Sequence, residues 1–117
     1  MNNKPKTVVL YASAIAQSPS KEGPARASIQ KQLKALREYA KQKGHTILKE
    51  YQDIKYSPKG HSSDLEQLAV DSFDSNFQAV LVPALNKIST EYFYFRTIKD
   101  HLEGNKVSIY ALDYDLE

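Results

Sequence analysis

Thr7 to Ala12 is a short run of apolar, β-branched and aromatic residues set between Pro5 and a serine-rich segment. Continuous apolarity over so short a stretch predicts a strand covered on both faces. From Pro24 the pattern changes. Ile29, Leu33, Leu36 and Ala40 recur at offsets of three and four, Lys and Arg fill the opposite side, and Gly44 follows the last turn. This predicts an amphipathic helix closed by a left-handed glycine. Thr46 to Asp53 sets Ile47, Lys49, Tyr51 and Asp53 against Leu48 and Glu50, the mixed alternation of a less buried strand. Residues 54–62, with Pro58 and Gly60, read as a loop. Ser63-Asp64-Leu65-Glu66 has the spacing of a capping box, and Leu65, Leu68 and Ala69 supply the apolar stripe of a second helix. Phe77 to Pro83 carries Ala79-Val80-Leu81-Val82, a third and central strand ended by Pro83, which has no N–H to give to a ladder. Tyr92, Phe95, Ile98 and Leu102 mark a helix closed by Gly104, and residues 107–112 make a last strand.

Strands separated by helix-length segments need crossovers, and crossovers produce a parallel sheet covered by helices. The expected fold is a three-layer α/β domain with a mainly parallel sheet of about four strands and helices on both faces. In such folds ligands bind beyond the carboxyl ends of the strands. Those ends are Ser13 to Ser20, Asp53 to Ser62 and Ala84 to Thr90, with Asn86 to Thr90 the most polar part of the third.

Composition narrows the function. A chain of 117 residues suits one domain over 1–117, with an ordered core over 6–115 and a final Leu116-Glu117 that reads as a cloning remnant. The net charge of +2 comes from 16 basic and 14 acidic residues, too balanced to mark a nucleic-acid surface by itself. Cysteine is absent, which excludes disulfides and thiolate metal sites. No apolar stretch approaches the roughly 20 residues of a membrane span, and the polar start is unlike a signal peptide. The expectation is a soluble cytoplasmic protein. His45, His61 and His101 are far apart in sequence, and the glycines at 23, 44, 60 and 104 form no phosphate-cradling motif, so neither a metal nor another cofactor is expected.

Five stretches together resemble one family. They are the strand ending in Tyr11, the helix segment Ser28-Ile29-Gln30-Lys31-Gln32-Leu33-Lys34-Ala35-Leu36-Arg37-Glu38-Tyr39-Ala40, and Tyr51-Gln52-Asp53 with the Phe77 to Val82 strand and the loop after it. Over about residues 6–115 the chain resembles the N-terminal catalytic domain of the serine recombinases, which comprise resolvases, invertases and large serine integrases. The resemblance implies a small parallel-sheet α/β domain acting on DNA. In that family a serine hydroxyl attacks a phosphodiester and forms a phosphoserine link, without metal or cofactor. Such chemistry requires an aligned hydroxyl, and guanidiniums to hold the charge growing on the phosphoryl oxygens.

Carried over residue by residue, the family's Tyr-x-Arg-x-Ser motif places its tyrosine at Tyr11, its arginine at Ser13 and its nucleophile at Ile15. The second loop keeps the aspartate as Asp53, has Tyr56 at the serine position beside Ser57, and has Ser62 where an arginine is usual. Pro83 stands near a usual lysine, and the family's Asp-Arg-x-x-Arg becomes Asn86-Lys87-Ile88-Ser89-Thr90. Lys87 and the helix glutamine, Gln32, survive. An isoleucine cannot attack phosphorus, and each lost electrostatic partner costs about 10²- to 10³-fold in rate. The reading is a recombinase-like domain without cleavage chemistry. Its implied partner is DNA in the full-length context, with weak or absent binding by this domain alone, because the helix and DNA-binding domain that normally follow are not in the sequence.

Other readings compete. Ser13, Ser18 and Ser20 are candidate replacement nucleophiles, but no nearby His, Lys or Arg is evident to activate Ser13, which favours ordinary loop serines. Asp53 resembles a phosphate-accepting aspartate at a strand end, yet the acidic pair of a receiver is missing from Tyr11-Ala12-Ser13, which favours an organising role. Tyr92-Phe93-Tyr94-Phe95 covers more than one helical face, so it serves core packing, self-association or both. Lys31, Lys34, Arg37, Lys41 and Lys43 are interrupted by Glu38 and Gln42, as on a solvated face.

Overall fold

In a computed structural model the described residues are 5–57, 60, 62–74 and 76–115, and side chains are described up to 113. Pro58, His61 and the terminal Leu116-Glu117 lie outside them. Four strands, β1 (Thr7–Ile15), β2 (Thr46–Lys55), β3 (Ala79–Val82) and β4 (Ser108–Ala111), alternate with α1 (Gly23–Lys43), α2 (Ser63–Asp71) and α3 (Tyr92–Gly104), and a short α4 (Leu112–Asp115) follows β4. The sheet order is β2-β1-β3-β4 and every pairing is parallel, as the alternation of strand and helix requires.

Side-chain alternation along β1 divides the core. Val8, Leu10 and Ala12 face Ile29, Leu33, Leu36 and Ala40 of α1. Val9 and Tyr11 face Leu65 and Leu68 of α2 and Ile98 and Leu102 of α3. All five residues of Val8–Ala12 are wholly buried, as the unbroken apolar run demands. β2 lies on an edge, with Leu48 exposed, which explains its mixed pattern. At the end of α1, Gly44 adopts φ 75°, and its N–H returns to the Lys41 carbonyl.

Four local expectations are corrected. β1 continues through Ser13, Ala14 and Ile15, because Asp53, Ile54 and Lys55 of β2 extend alongside as pairing partners; the loop therefore starts three residues later than the serine content suggests. The capping box at Ser63 does not form. Ser62 is the N-cap without a side-chain cap, and the donors are taken instead by Asp53, a carboxylate reaching over from β2. Gly104 ends α3 in helical conformation, and the left-handed residue is Lys106 at φ 65°, whose N–H reaches the Glu103 carbonyl. Leu112 starts α4 instead of finishing the last strand, since pairing with β3 stops at Ala111 opposite Val82, just before Pro83.

Candidate functional site

Connections from β1 lead to β2 on one side, and β3 lies on the other, so the order reverses between β1 and β3 and leaves a crevice beyond their carboxyl ends. A cleft of about 390 Å³ occupies that place, lined by Ser13, Ala14 and Ile15 from β1, Pro24, Ala25 and Ser28 from the first turns of α1, Lys55 from β2, and Asn86, Lys87 and Thr90 from the β3 loop. Ser13, Ile15, Asn86, Lys87 and Thr90 were all singled out from sequence, and they meet here. Ser62 is buried at the start of α2 and is not among the lining residues.

The floor of the cleft is held rigidly. Ser13 is only 4% exposed, and its hydroxyl donates to the Lys87 carbonyl at 2.7 Å. Gln32 straddles the Ser13 backbone: its Oε1 accepts from the Ser13 N–H at 3.2 Å, and its Nε2 donates to the Ser13 carbonyl at 2.9 Å and to Ser28 Oγ at 3.0 Å. Gln32 thus continues the ladder where the sheet ends and ties α1 to β1. Ile15 stands at the rim, 55% exposed, a hydrocarbon where the cleft meets solvent.

Tyr11 and Asp53 form a second unit beneath the site. The buried Tyr11 hydroxyl donates to Asp53 Oδ2 at 2.7 Å. The same oxygen accepts from the Leu65 N–H at 3.0 Å, and Oδ1 accepts from the Asp64 N–H at 2.9 Å. Asp53 therefore caps α2 and anchors Tyr11 at once. Burial, reinforced by the Asp53 carboxylate, pushes the Tyr11 phenol far above its ordinary pKa, which keeps it a donor.

Sequence reading passed over Lys55. It lies at the end of the edge strand, where a lysine ordinarily reads as solvated, yet it is only 7% exposed. Burial lowers its pKa, Asp53 acts in the opposite direction, and Lys87 lowers it further. Its place opposite Ile15 at the carboxyl end of the sheet emerges only from the pairing of β2 with β1. A further link, Tyr56 Oη donating to Glu22, joins the end of β2 to the start of α1, with Glu22 also bound to Arg26 at 2.6 Å.

Of the other candidates, Ser18 and Ser20 bond to each other at 3.1 Å on the surface. His45 Nδ1 accepts from the Lys6 N–H at 3.0 Å, and His101 Nε2 donates to the Ala69 carbonyl at 3.0 Å. Among the described residues no three His, Asp or Glu gather as a metal-ligand group. No described helix is long and apolar enough to cross a membrane. The aromatic segment divides: Tyr94 and Phe95 pack against the core, while Tyr92 and Phe93 are 63% and 78% exposed and in edge contact with each other.

Solved structures share this architecture. The N-terminal catalytic domain of TP901-1 integrase is similar at a TM-score of 0.76 with 23% identity, over 93% of this chain and 78% of that one. A resolvase family site-specific recombinase from Streptococcus pneumoniae matches at 0.76 with 19% identity, over 92% and 72%. The C-terminal catalytic domain of ISC1926 TnpA, an IS607-like serine recombinase, matches at 0.74 with 20% identity, over 91% and 69%. At these identities the likeness is one of fold. No curated protein sequence matches significantly. The family profile "Resolvase, N terminal domain" matches residues 17–117, most of the chain and both later loops of the cleft, and the protein therefore belongs to the resolvase N-terminal-domain family.

Proposed function

We propose that this is a serine-recombinase-like domain of a DNA recombination protein in which strand cleavage has been lost. The observation that carries the reading is at the cleft. The family motif carried over puts the nucleophile at Ile15, and Ser13, which lines the same cleft, has its hydroxyl proton committed to the Lys87 carbonyl. The positions where the family places arginines carry Ser13, Ser62 and Thr90 together with Lys87, so the charge of a pentavalent phosphoryl group meets few guanidinium-type partners. DNA is the partner in a full-length context, and this domain alone adds at most weak contact. The chain acts as one domain, and its cysteine-free composition suits a cytoplasmic setting. The test is incubation with supercoiled DNA carrying candidate recombination sites, quenched with detergent and searched for a covalent protein–DNA adduct. None is expected; a serine-linked adduct would establish an active recombinase with a displaced nucleophile.

A second role is favoured by the exposed pair Tyr92 and Phe93, which suits self-association with another copy of this domain. Phe93→Glu should lower the sedimentation-derived mass if this face pairs copies. Tyr94→Glu is a poor probe, because Tyr94 also packs against the core.

A further inference from the structure

The end of the sheet opposite the cleft is fastened by a side chain that must be uncharged to do so. Just before β1 pairs with β2 at Thr7 and Thr46, the Thr46 N–H donates to the Lys6 carbonyl at 2.8 Å, and the Lys6 N–H donates to His45 Nδ1 at 3.0 Å. The imidazole nitrogen stands where a neighbouring strand would offer a carbonyl, and so serves as one more rung of the ladder. An imidazole accepts at Nδ1 only as the neutral tautomer that carries its proton on Nε2. A proton added at Nδ1 turns the acceptor into a donor that faces another donor.

The surroundings act against that proton. His45 is half-buried in the corner where α1 turns into β2, held by its own N–H to the Ala40 carbonyl at 2.9 Å beside the left-handed Gly44. The charged groups that face it are both cations: Lys6, on the chain entering β1, and Lys43, from the last turn of α1. Lys6 Nζ lies 5.7 Å from the centre of the Tyr110 ring on β4, and Lys43 Nζ lies 5.6 Å from that of Tyr39 on α1. The Tyr39 and His45 ring centres are 6.5 Å apart. Among the described residues no carboxylate forms an ion pair with Lys6, Lys43 or His45. Burial, and after it Lys6 and Lys43, holds the imidazole pKa below its ordinary 6.5.

We propose that His45 is an acid-released latch. Neutral, it pins the chain entering β1 to the α1–β2 corner; protonated, it lets that chain go and adds a third positive charge where two already stand. A folded pKa below the unfolded one makes the stabilising contribution complete above about pH 6.5, and it is lost as pH falls through the folded value. The latch sits at the far end of the sheet from the cleft, so it stands or falls separately from the reading of lost strand cleavage.

The test is a pH titration of the 15N-labelled chain from about pH 8 to about pH 4.5, following the His45 ring protons and the Lys6 and Thr46 amides together. One shared midpoint below 6.5 is expected. Exchange of the Lys6 amide, corrected for its intrinsic rate, should be at least about fivefold faster once the ring is charged. His45→Asn keeps an acceptor oxygen near the place of Nδ1 and takes up no proton, so its Lys6 amide should stay protected throughout. His45→Phe removes the acceptor and should leave that amide unprotected at every pH, and Lys43→Glu should raise the midpoint. A wild-type ring midpoint at or above 6.5, a Lys6 amide that ignores the titration of the ring, or pH-dependent protection persisting in His45→Asn would each overturn the proposal. The first two are read on the wild-type chain, so the outcome is decided even if a variant does not fold.

Discussion

Replacing Asp53 with alanine should cost far more stability than its place at a strand end suggests. The carboxylate accepts from the Tyr11 hydroxyl and from the Asp64 and Leu65 amides, the latter two belonging to the first turn of α2. Removing a helix cap costs about 1–2 kcal/mol. The Tyr11 hydroxyl, left buried without an acceptor, adds about 1–3 kcal/mol. Together these come to about 2–5 kcal/mol, a large part of the roughly 5–15 kcal/mol that holds a typical domain folded. With a urea m-value of about 2 kcal/mol/M, the midpoint should fall by roughly 1–2.5 M while m stays constant. Circular dichroism during urea titration would measure it. Coupling between the two residues is expected as well. Tyr11→Phe placed on top of Asp53→Ala should cost little or restore stability, since no orphaned hydroxyl remains, and the double-mutant cycle should show about 1 kcal/mol or more of interaction. A loss below about 1 kcal/mol for Asp53→Ala, or strict additivity with Tyr11→Phe, would refute the view of Asp53 as the organising acceptor.

Other outcomes follow from the same geometry. Ile15→Ser alone should not restore cleavage of supercoiled DNA, because each missing electrostatic partner still costs about 10²- to 10³-fold; appearance of nicked product would contradict this. Gln32→Leu should destabilise by about 1–2 kcal/mol in urea unfolding, since it strips partners from the Ser13 backbone. Gly44→Ala should cost about 1 kcal/mol because φ is 75° there, although the nearest atom to an added Cβ, Pro5 Cγ, is 3.7 Å away. The Tyr94 phenol is pushed up to about 12 by burial and by Glu66. A folded pKa above the unfolded value means that this contribution is complete below about pH 10 and is lost as pH rises towards 12. Tyr94→Phe should therefore flatten the fall in stability over that window, measured by thermal melts at successive pH values.

Much of the architecture was readable because burial writes itself into periodicity. The wholly apolar Val8–Ala12 declared an interior strand, and Ile29, Leu33, Leu36 and Ala40 declared the face of α1. Most of the cleft was legible too, since parallel α/β topology dictates where loops converge. What escaped depends on tertiary pairing. Ser13 to Ile15 looked like loop because serine and alanine carry little strand signal, and only the partner run Asp53–Lys55 makes them a strand. The cap of α2 comes from a residue ten positions before the helix starts, beyond any local motif. Lys55 was hidden for the opposite reason: a lysine near an exposed turn gives no hint that the chain folds over it.

The position of β1 between β2 and β3 has a dynamic corollary. The strand that carries Ser13 is the one on which both core halves rest, so the cleft floor cannot loosen without dissolving the domain. Amide protons of Leu10 to Ala12 should exchange with solvent only through global opening. Whatever enters must be accommodated by movement at the mouth, with the base acting as an unyielding anvil.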